Sequence, residues 1–303
     1  MRILPRFVLI AASTLAAASA DAAATVPLDT TTVEPGVDLR VIDIGPRSST
    51  ALVFIPGWGM AGEVWKDQMA RLAPRHRVIT FDPRGQGASS KTGYGITPEQ
   101  RARDLERLLD KRGVEKAVVV AWSQAVQDLG AYILEFGTDR IAGAVLVDAA
   151  FSKGFESVIT DQKRIALDLR LMNILLAAPE AFADGMIDAM TERELAPGER
   201  DDLRKMVLAT APASGVAGML SSRLGRDRSA AAARLARPVL VLSAATSPEL
   251  VSQREMAERL PCGAIEVIEG AGHAVFLDKP DLFAEKLARF LEQTGGPRER
   301  KCE

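Results

Sequence analysis

The sequence predicts an α/β protein: a mostly parallel central sheet flanked by helices, with an all-helical cap inserted over one end of it. Three observations carry this. Short apolar runs of strand type alternate with helical patterns up to residue 151. Between Ser152 and Ala236 the alternation breaks, and every pattern is helical. From Arg237 it resumes and continues almost to the end. Alternation of this kind gives parallel strands with helices on both faces. Ligands of such sheets bind just beyond the carboxyl ends of the strands, so those positions hold the candidate chemistry.

Taken in order, VDLRVIDIG (37–45) alternates apolar and polar residues like a half-exposed strand. ALVFIPG (51–57) and RVITFD (77–82) are buried-strand runs, with helix-spaced EVWKDQMARLAP between them. TPEQRARDLERLLDKRG (97–113) is the clearest helix. Thr97 can cap it, Pro98 suits its first turn, and Gln100 would complete a capping box. Leu105, Leu108 and Leu109 form its apolar stripe, and Gly113 ends it. KAVVVAWS, AVQDLGAYILEFG and AGAVLVDAAF read as strand, helix and strand. Within the helical stretch, LMNILLAAPEAFADGMIDAM is apolar, and Met186, Met190, Met206 and Met219 add adaptable surface for packing cap on core. RPVLVLSAAT, SPELVSQREMAERLP, AIEVIEG and DLFAEKLARFLEQTGG then give strand, helix, strand and helix.

Composition narrows the functional classes. The 303 residues are 47% hydrophobic and 26% charged, with a formal net charge of −2. That balance can bury a large core, and nothing in it argues for nucleic acid, which usually asks for a basic surface. MRILPRFVLIAASTLAAASA joins two arginines, an apolar run and a small-x-small end at Ala18-Ser19-Ala20. Residues 1–20 are therefore expected to be a signal peptide, since the run falls short of the roughly 20 apolar residues that span a bilayer. The mature protein is then expected to be periplasmic or secreted, with no membrane anchor. The expected core covers 21–151 and 237–295, the cap 152–236, and a disordered polar tail 296–303. No metal-ligand spacing occurs and no cofactor is expected; the expected partner is a small-molecule substrate. Oligomeric state and pairing of Cys262 with Cys302 stay open.

Two residues beyond strand ends stand out. Ser123 passes at once from the strand KAVVVAW into a helix, within Ala121-Trp122-Ser123-Gln124-Ala125. Serine is a poor nucleophile without an adjacent base, and a plain alternative is that Ser123 caps the helix. His273 follows a strand in a glycine-rich loop. It is either that base or a satisfied core histidine. His76 lies before a strand, at the other end of the sheet, and reads as structural.

The order and spacing of PGWGMAGEVW, DPRGQGASSK, Ser123 and GAGHAVFLDKPDLF resemble the α/β-hydrolase superfamily, nearest its capped serine esterases, lactonases and cofactor-free perhydrolases. The resemblance covers nearly the whole mature chain. It implies a nucleophile elbow at Ser123, with alanine at both glycine positions of G-x-S-x-G, and His273 as base. The acid often follows the strand after the cap, in a pattern like G-x-x-D. Here that strand runs into Ala244-Ala245-Thr246-Ser247, with serine in the acid's place. Asp148, where some members carry their acid, is the preferred substitute. Glu249 is the alternative acid, and a dyad without one stays open. The resemblance assigns the oxyanion hole to the backbone N–H groups of Trp58 and Gln124, although Pro56 stands where many members have histidine. It puts Trp58 and Trp122 beside the centre, as expected lining of an apolar or aromatic substrate pocket. Asp82 and Arg84 belong to a bracing turn. The implied activity is hydrolysis of an ester or lactone through an acyl-enzyme, with perhydrolysis using the same serine. Haloalkane dehalogenases and epoxide hydrolases use aspartate at the nucleophile position and are disfavoured. A binding protein with weakened catalysis is the alternative from another class.

Overall fold

The computed structural model describes residues 29–158 and 161–294. The expected signal peptide, the tail and Cys302 lie outside these residues. Eight strands form one sheet: β1 (Asp29–Glu34), β2 (Val37–Ile44), β3 (Thr50–Ile55), β4 (Val78–Phe81), β5 (Lys116–Trp122), β6 (Ile141–Val147), β7 (Val239–Ala244) and β8 (Gly263–Ile268). Their spatial order is β1-β2-β4-β3-β5-β6-β7-β8. β2 runs antiparallel to β1 and to β4, and every other pair is parallel. The central strands are apolar at nearly every position because helices cover both faces. β1 adds a strand that the sequence reading does not contain. It is an edge strand that buries only Thr31 and Val33, so its run of threonines carries no apolar alternation.

On one face lie α2 (Pro98–Lys111) and α3 (Gln124–Phe136), and on the other α1 (Lys66–Leu72) and the C-terminal helix described below. Thr97 caps α2 by accepting the N–H of Gln100 at 3.2 Å. The capping box expected there is only half formed, because the Gln100 amide turns to Asp104 at 3.1 Å. Between β6 and β7 the described residues hold α4 (Phe155–Val158), α5 (Gln162–Ala177), α6 (Pro179–Met190), α7 (Pro197–Leu208), α8 (Pro212–Arg223) and α9 (Ala230–Arg234). Ala231, Ala232 and Leu235 join the apolar layer of α2 and α3, so α9 packs on the sheet's own helices. After β7 come α10 (Leu250–Arg259), α11 (Val275–Asp278) and α12 (Pro280–Thr294).

Strand parity divides the core. Ala117, Val119 and Ala121 of β5 face the α2/α3 layer, while Val118, Val120 and Trp122 face the layer of α1 and α12. Trp122 therefore enters an aromatic cluster with Trp65 (6.4 Å between ring centres) and Phe276 (5.0 Å, near-perpendicular). The turn after β4 is braced as its sequence suggests. Arg84 is fully buried and forks onto Asp104 of α2 at 2.7–2.8 Å, with Glu34 of β1 at 2.6 Å. Asp82 accepts the N–H groups of Gly62 and Ala88, each at 2.7 Å. Burial pushes its carboxyl up from the ordinary value, and those two hydrogen bonds oppose the rise.

Candidate active site

β5, β6 and β7 lie in parallel register, and the ladder runs one residue past each strand. Ser123 N–H donates to Val147 O (3.0 Å), and Asp148 N–H donates to Leu242 O (2.9 Å). The register therefore sets Ser123 and Asp148 side by side at the carboxyl edge of the sheet. His273, in the loop after β8, reaches back to both. Its Nε2 lies 2.8 Å from Ser123 Oγ, and its Nδ1 lies 2.7 Å from Asp148 Oδ2. The hydroxyl, imidazole and carboxylate thus form one hydrogen-bonded row.

Among the described residues, the non-glycine positions with positive φ are Ser123 (58°) and Asp148 (48°). Each such backbone costs about 1–3 kcal/mol, a strain that tends to persist where function requires it. At Ser123 the turn aims the side chain away from α3. The hydroxyl makes no capping bond to that helix and meets His273 instead. The helix-cap alternative fails on that contact. Ala121 and Ala125 both have negative φ and are fully buried, so the elbow needs small residues there but not glycine.

The loop after β3 approaches the elbow closely. A Cβ on Gly57 would lie 3.1 Å from Ser123 Cβ and 3.1 Å from the Trp122 ring, a space that only glycine fits easily. The N–H of Trp58, next along, and that of Gln124, first in α3, find no acceptor among the described residues. The N-terminus of α3 adds its partial positive charge at the same place.

Asp148 is supported from its other oxygen. Oδ1 accepts the N–H of Ala244 (3.0 Å) and the amide of Gln253 (3.3 Å). Gln253, fully buried on α10, also donates to Ser247 Oγ at 3.0 Å and accepts from Ser243. The serine standing in the expected acid position is thereby absorbed into the support of Asp148. Glu249, the alternative acid, does not meet His273. Its carboxylate sits at the entry to α10 and faces Arg164 at 3.8 Å.

The two tryptophans differ from each other. Trp122 is 1% exposed, and its indole N–H donates to His273 O at 2.9 Å. It has no surface to offer a substrate, which corrects the expectation that it lines the pocket; strand parity turns it into the core, where it anchors the histidine loop. Trp58 is half-buried under the helical insertion. Its indole donates to Gly215 O of α8 (2.8 Å), and its ring meets Phe182 of α6 edge-on at 5.4 Å.

The insertion also holds the histidine loop. Ala274 N–H donates to Met190 O at 2.7 Å. Asp278 accepts the N–H groups of Gly272 (2.7 Å), Glu192 (2.9 Å) and Arg193 (3.1 Å). Arg193 continues the joint to Leu277 O and to Glu199, whose carboxyl its guanidinium holds down at about 2. Asp278→Ala would strand one buried N–H group, that of Gly272, and two part-buried ones, those of Glu192 and Arg193. It is expected to cost about 3 kcal/mol of stability, read as a lower urea midpoint.

Among the described residues no group of three or more histidine, cysteine, aspartate or glutamate side chains could hold a metal ion, and no helix is long and apolar enough to cross a membrane. A parallel sheet with a strained serine between its central strand and the next helix, and a histidine loop after its last strand, defines the α/β-hydrolase architecture. A model of the alpha/beta hydrolase family matches residues 52–286, and the chain belongs to that family. It is 32% identical over 119 residues to a bifunctional esterase/perhydrolase of Acinetobacter calcoaceticus, a match covering 39% of this chain and 43% of that relative's length. An esterase from Exiguobacterium antarcticum superposes with a TM-score of 0.78 at 18% identity, over 85% of this chain and 97% of the other. A bromoperoxidase from Bacillus anthracis does so with a TM-score of 0.78 at 22% identity, over 87% and 99%. The two structural likenesses are likenesses of fold.

Proposed function

We propose that this protein is a serine hydrolase that cleaves a carboxylic ester or lactone of a small, apolar substrate. The observation that carries the reading is the row Ser123–His273–Asp148, with both of its outer members in strained backbone. Ser123 Oγ attacks the carbonyl carbon while its proton passes to His273 Nε2. Asp148 holds the Nδ1–H and stabilises the imidazolium that forms. The oxyanion gathers the N–H groups of Trp58 and Gln124. Collapse expels the alcohol oxygen, which takes the proton from His273 and leaves an acyl-serine. Water, deprotonated by the same imidazole, then releases the acid. Hydrogen peroxide in place of that water would give a peracid, an acceptor reading supported by the esterase/perhydrolase relative. Trp58 and Met186, both half-buried beside the Gly57–Gly59 loop that approaches Ser123, favour apolar groups near the serine.

The test is a fluorophosphonate probe on the folded mature protein, with a panel of short-chain p-nitrophenyl esters and lactones. Labelling is expected on the peptide carrying Ser123, together with turnover of part of the panel. A folded protein that takes no label and turns over none of the panel would favour a binding role for the same fold.

A further inference from the structure

We propose that Gln86 is the positioning residue of the oxyanion loop, fixing the peptide planes on both sides of Trp58. The inference deepens the hydrolase reading and rests on it.

The loop needs an external hold. Gly57 and Gly59 flank Trp58, and Gly59 has φ +72°, so both neighbouring peptides can rotate easily. Gln86, 1% exposed in the turn after β4, supplies the hold with one side chain. Its Nε2 donates to Gly57 O (3.1 Å) and Met60 O (2.8 Å). Its Oε1 accepts Gly59 N–H (3.2 Å) and a guanidinium N–H of Arg101 (3.1 Å). Two donated and two accepted bonds use the full capacity of a primary amide and fix which way round it sits.

The consequence follows from peptide geometry. All described peptides are trans, so the C=O of Gly57 and the N–H of Trp58 belong to one plane and point in opposite directions. Gripping Gly57 O from the side of Gln86 therefore turns the Trp58 N–H the other way. The next peptide is held too, through the Gly59 N–H. If the 57–58 peptide rotated, the oxyanion would meet a carbonyl oxygen instead of a donor.

Arg101 extends the hold to the other half of the site. It is buried on α2, donates to Arg84 O at 3.3 Å, and places a nitrogen 3.8 Å from Asp128 Oδ2 on α3. Asp128 lies one helical turn beyond Gln124, the second proposed oxyanion donor. One buried chain, Asp128–Arg101–Gln86, thus links the helix carrying one N–H to the loop carrying the other.

The experiment compares wild type, Gln86→Met and Gln86→Glu. Methionine keeps the volume and loses all four bonds. Glutamate keeps the acceptors for Gly59 and Arg101 and loses the donors to Gly57 O and Met60 O. Active sites are titrated with a fluorophosphonate, and p-nitrophenyl acetate hydrolysis is expressed per titrated site. Inhibition by an alkyl trifluoromethyl ketone, whose serine adduct carries an oxyanion, is measured in parallel. Both variants are expected to lose kcat by about 10- to 100-fold, below or within the range for deleting an oxyanion donor. KM should stay within about threefold, and ketone affinity should weaken by the same factor as kcat/KM. A merely structural role would reduce the number of titratable sites and leave kcat per site and ketone affinity alone; that result overturns the proposal. Should Gln86→Met fail to fold, Gln86→Glu decides by the same measures. An inactive, unlabelled wild type overturns the hydrolase reading and the positioning role with it, whereas an active wild type with unaltered variants overturns the positioning role alone.

Discussion

Ser123→Ala is expected to lower ester turnover by about 10⁴- to 10⁶-fold, with loss of fluorophosphonate labelling, because it removes the hydroxyl that His273 activates. The companion result concerns stability. Ser123 holds φ 58° and ψ −121°, a conformation unfavourable for any side chain with a Cβ. Alanine inherits that strain, so Ser123→Ala should unfold at nearly the same urea concentration as wild type. Ser123→Gly should be equally inactive yet more stable by about 1 kcal/mol, since glycine adopts positive φ without the penalty. Gain in stability with loss of turnover, measured on one pair of variants, would mark the strain as held for the chemistry. Equal stability of the alanine and glycine variants would mean that the turn is relaxed, and that its shape is no argument for a nucleophile.

How much of this was legible in the sequence depends on the range of the interaction. Runs such as ALVFI and KAVVVAW carry their burial in their own composition, so the central strands can be read directly. Ser123 and His273 could be singled out because each follows such a run. Asp148 and Glu249 could not be separated on the same grounds. The choice depends on the register of β6 against β7, which puts residue 148 level with Ser243 and its carboxylate on the N–H of Ala244, and on Arg164 of the insertion facing Glu249. Trp122 could have been placed by counting alternate positions along β5, a signal that was present and outweighed by its closeness to Ser123. Gln86 and Asp278 lie inside the quoted motifs DPRGQGASSK and GAGHAVFLDKPDLF, but nothing there told their roles, and Gln253 left no sequence signal at all. Their partners are mostly backbone groups or side chains of other elements, and a backbone N–H looks the same in every residue. β1 was illegible for the opposite reason: at the sheet's edge, hydrogen bonds to β2 hold it more than burial does.

Asp148→Asn should lower kcat by about 10⁴-fold, and the hydrogen bonds around the carboxylate explain why so small a change would cost so much. Oδ1 must accept from Ala244 N–H and from the Gln253 amide. An asparagine has one acceptor oxygen, and these two donors claim it. Its NH₂ group is then turned toward His273 Nδ1, which must become an acceptor. That places the imidazole proton on Nε2, facing Ser123 Oγ, in the tautomer that cannot take the serine proton. The fold should survive, because every hydrogen bond keeps a partner, and KM should change little. Asp148→Ala removes the acceptor as well and should lose both turnover and stability. Glu249→Gln, which alters only the group facing Arg164, should turn over ester within about threefold of wild type, as surface ion pairs contribute little. If Glu249→Gln proved the inactive variant and Asp148→Asn the active one, the hydrogen bond between Asp148 and His273 would be structural, and the acid would have to reach the imidazole by a rearrangement of the loop before α10.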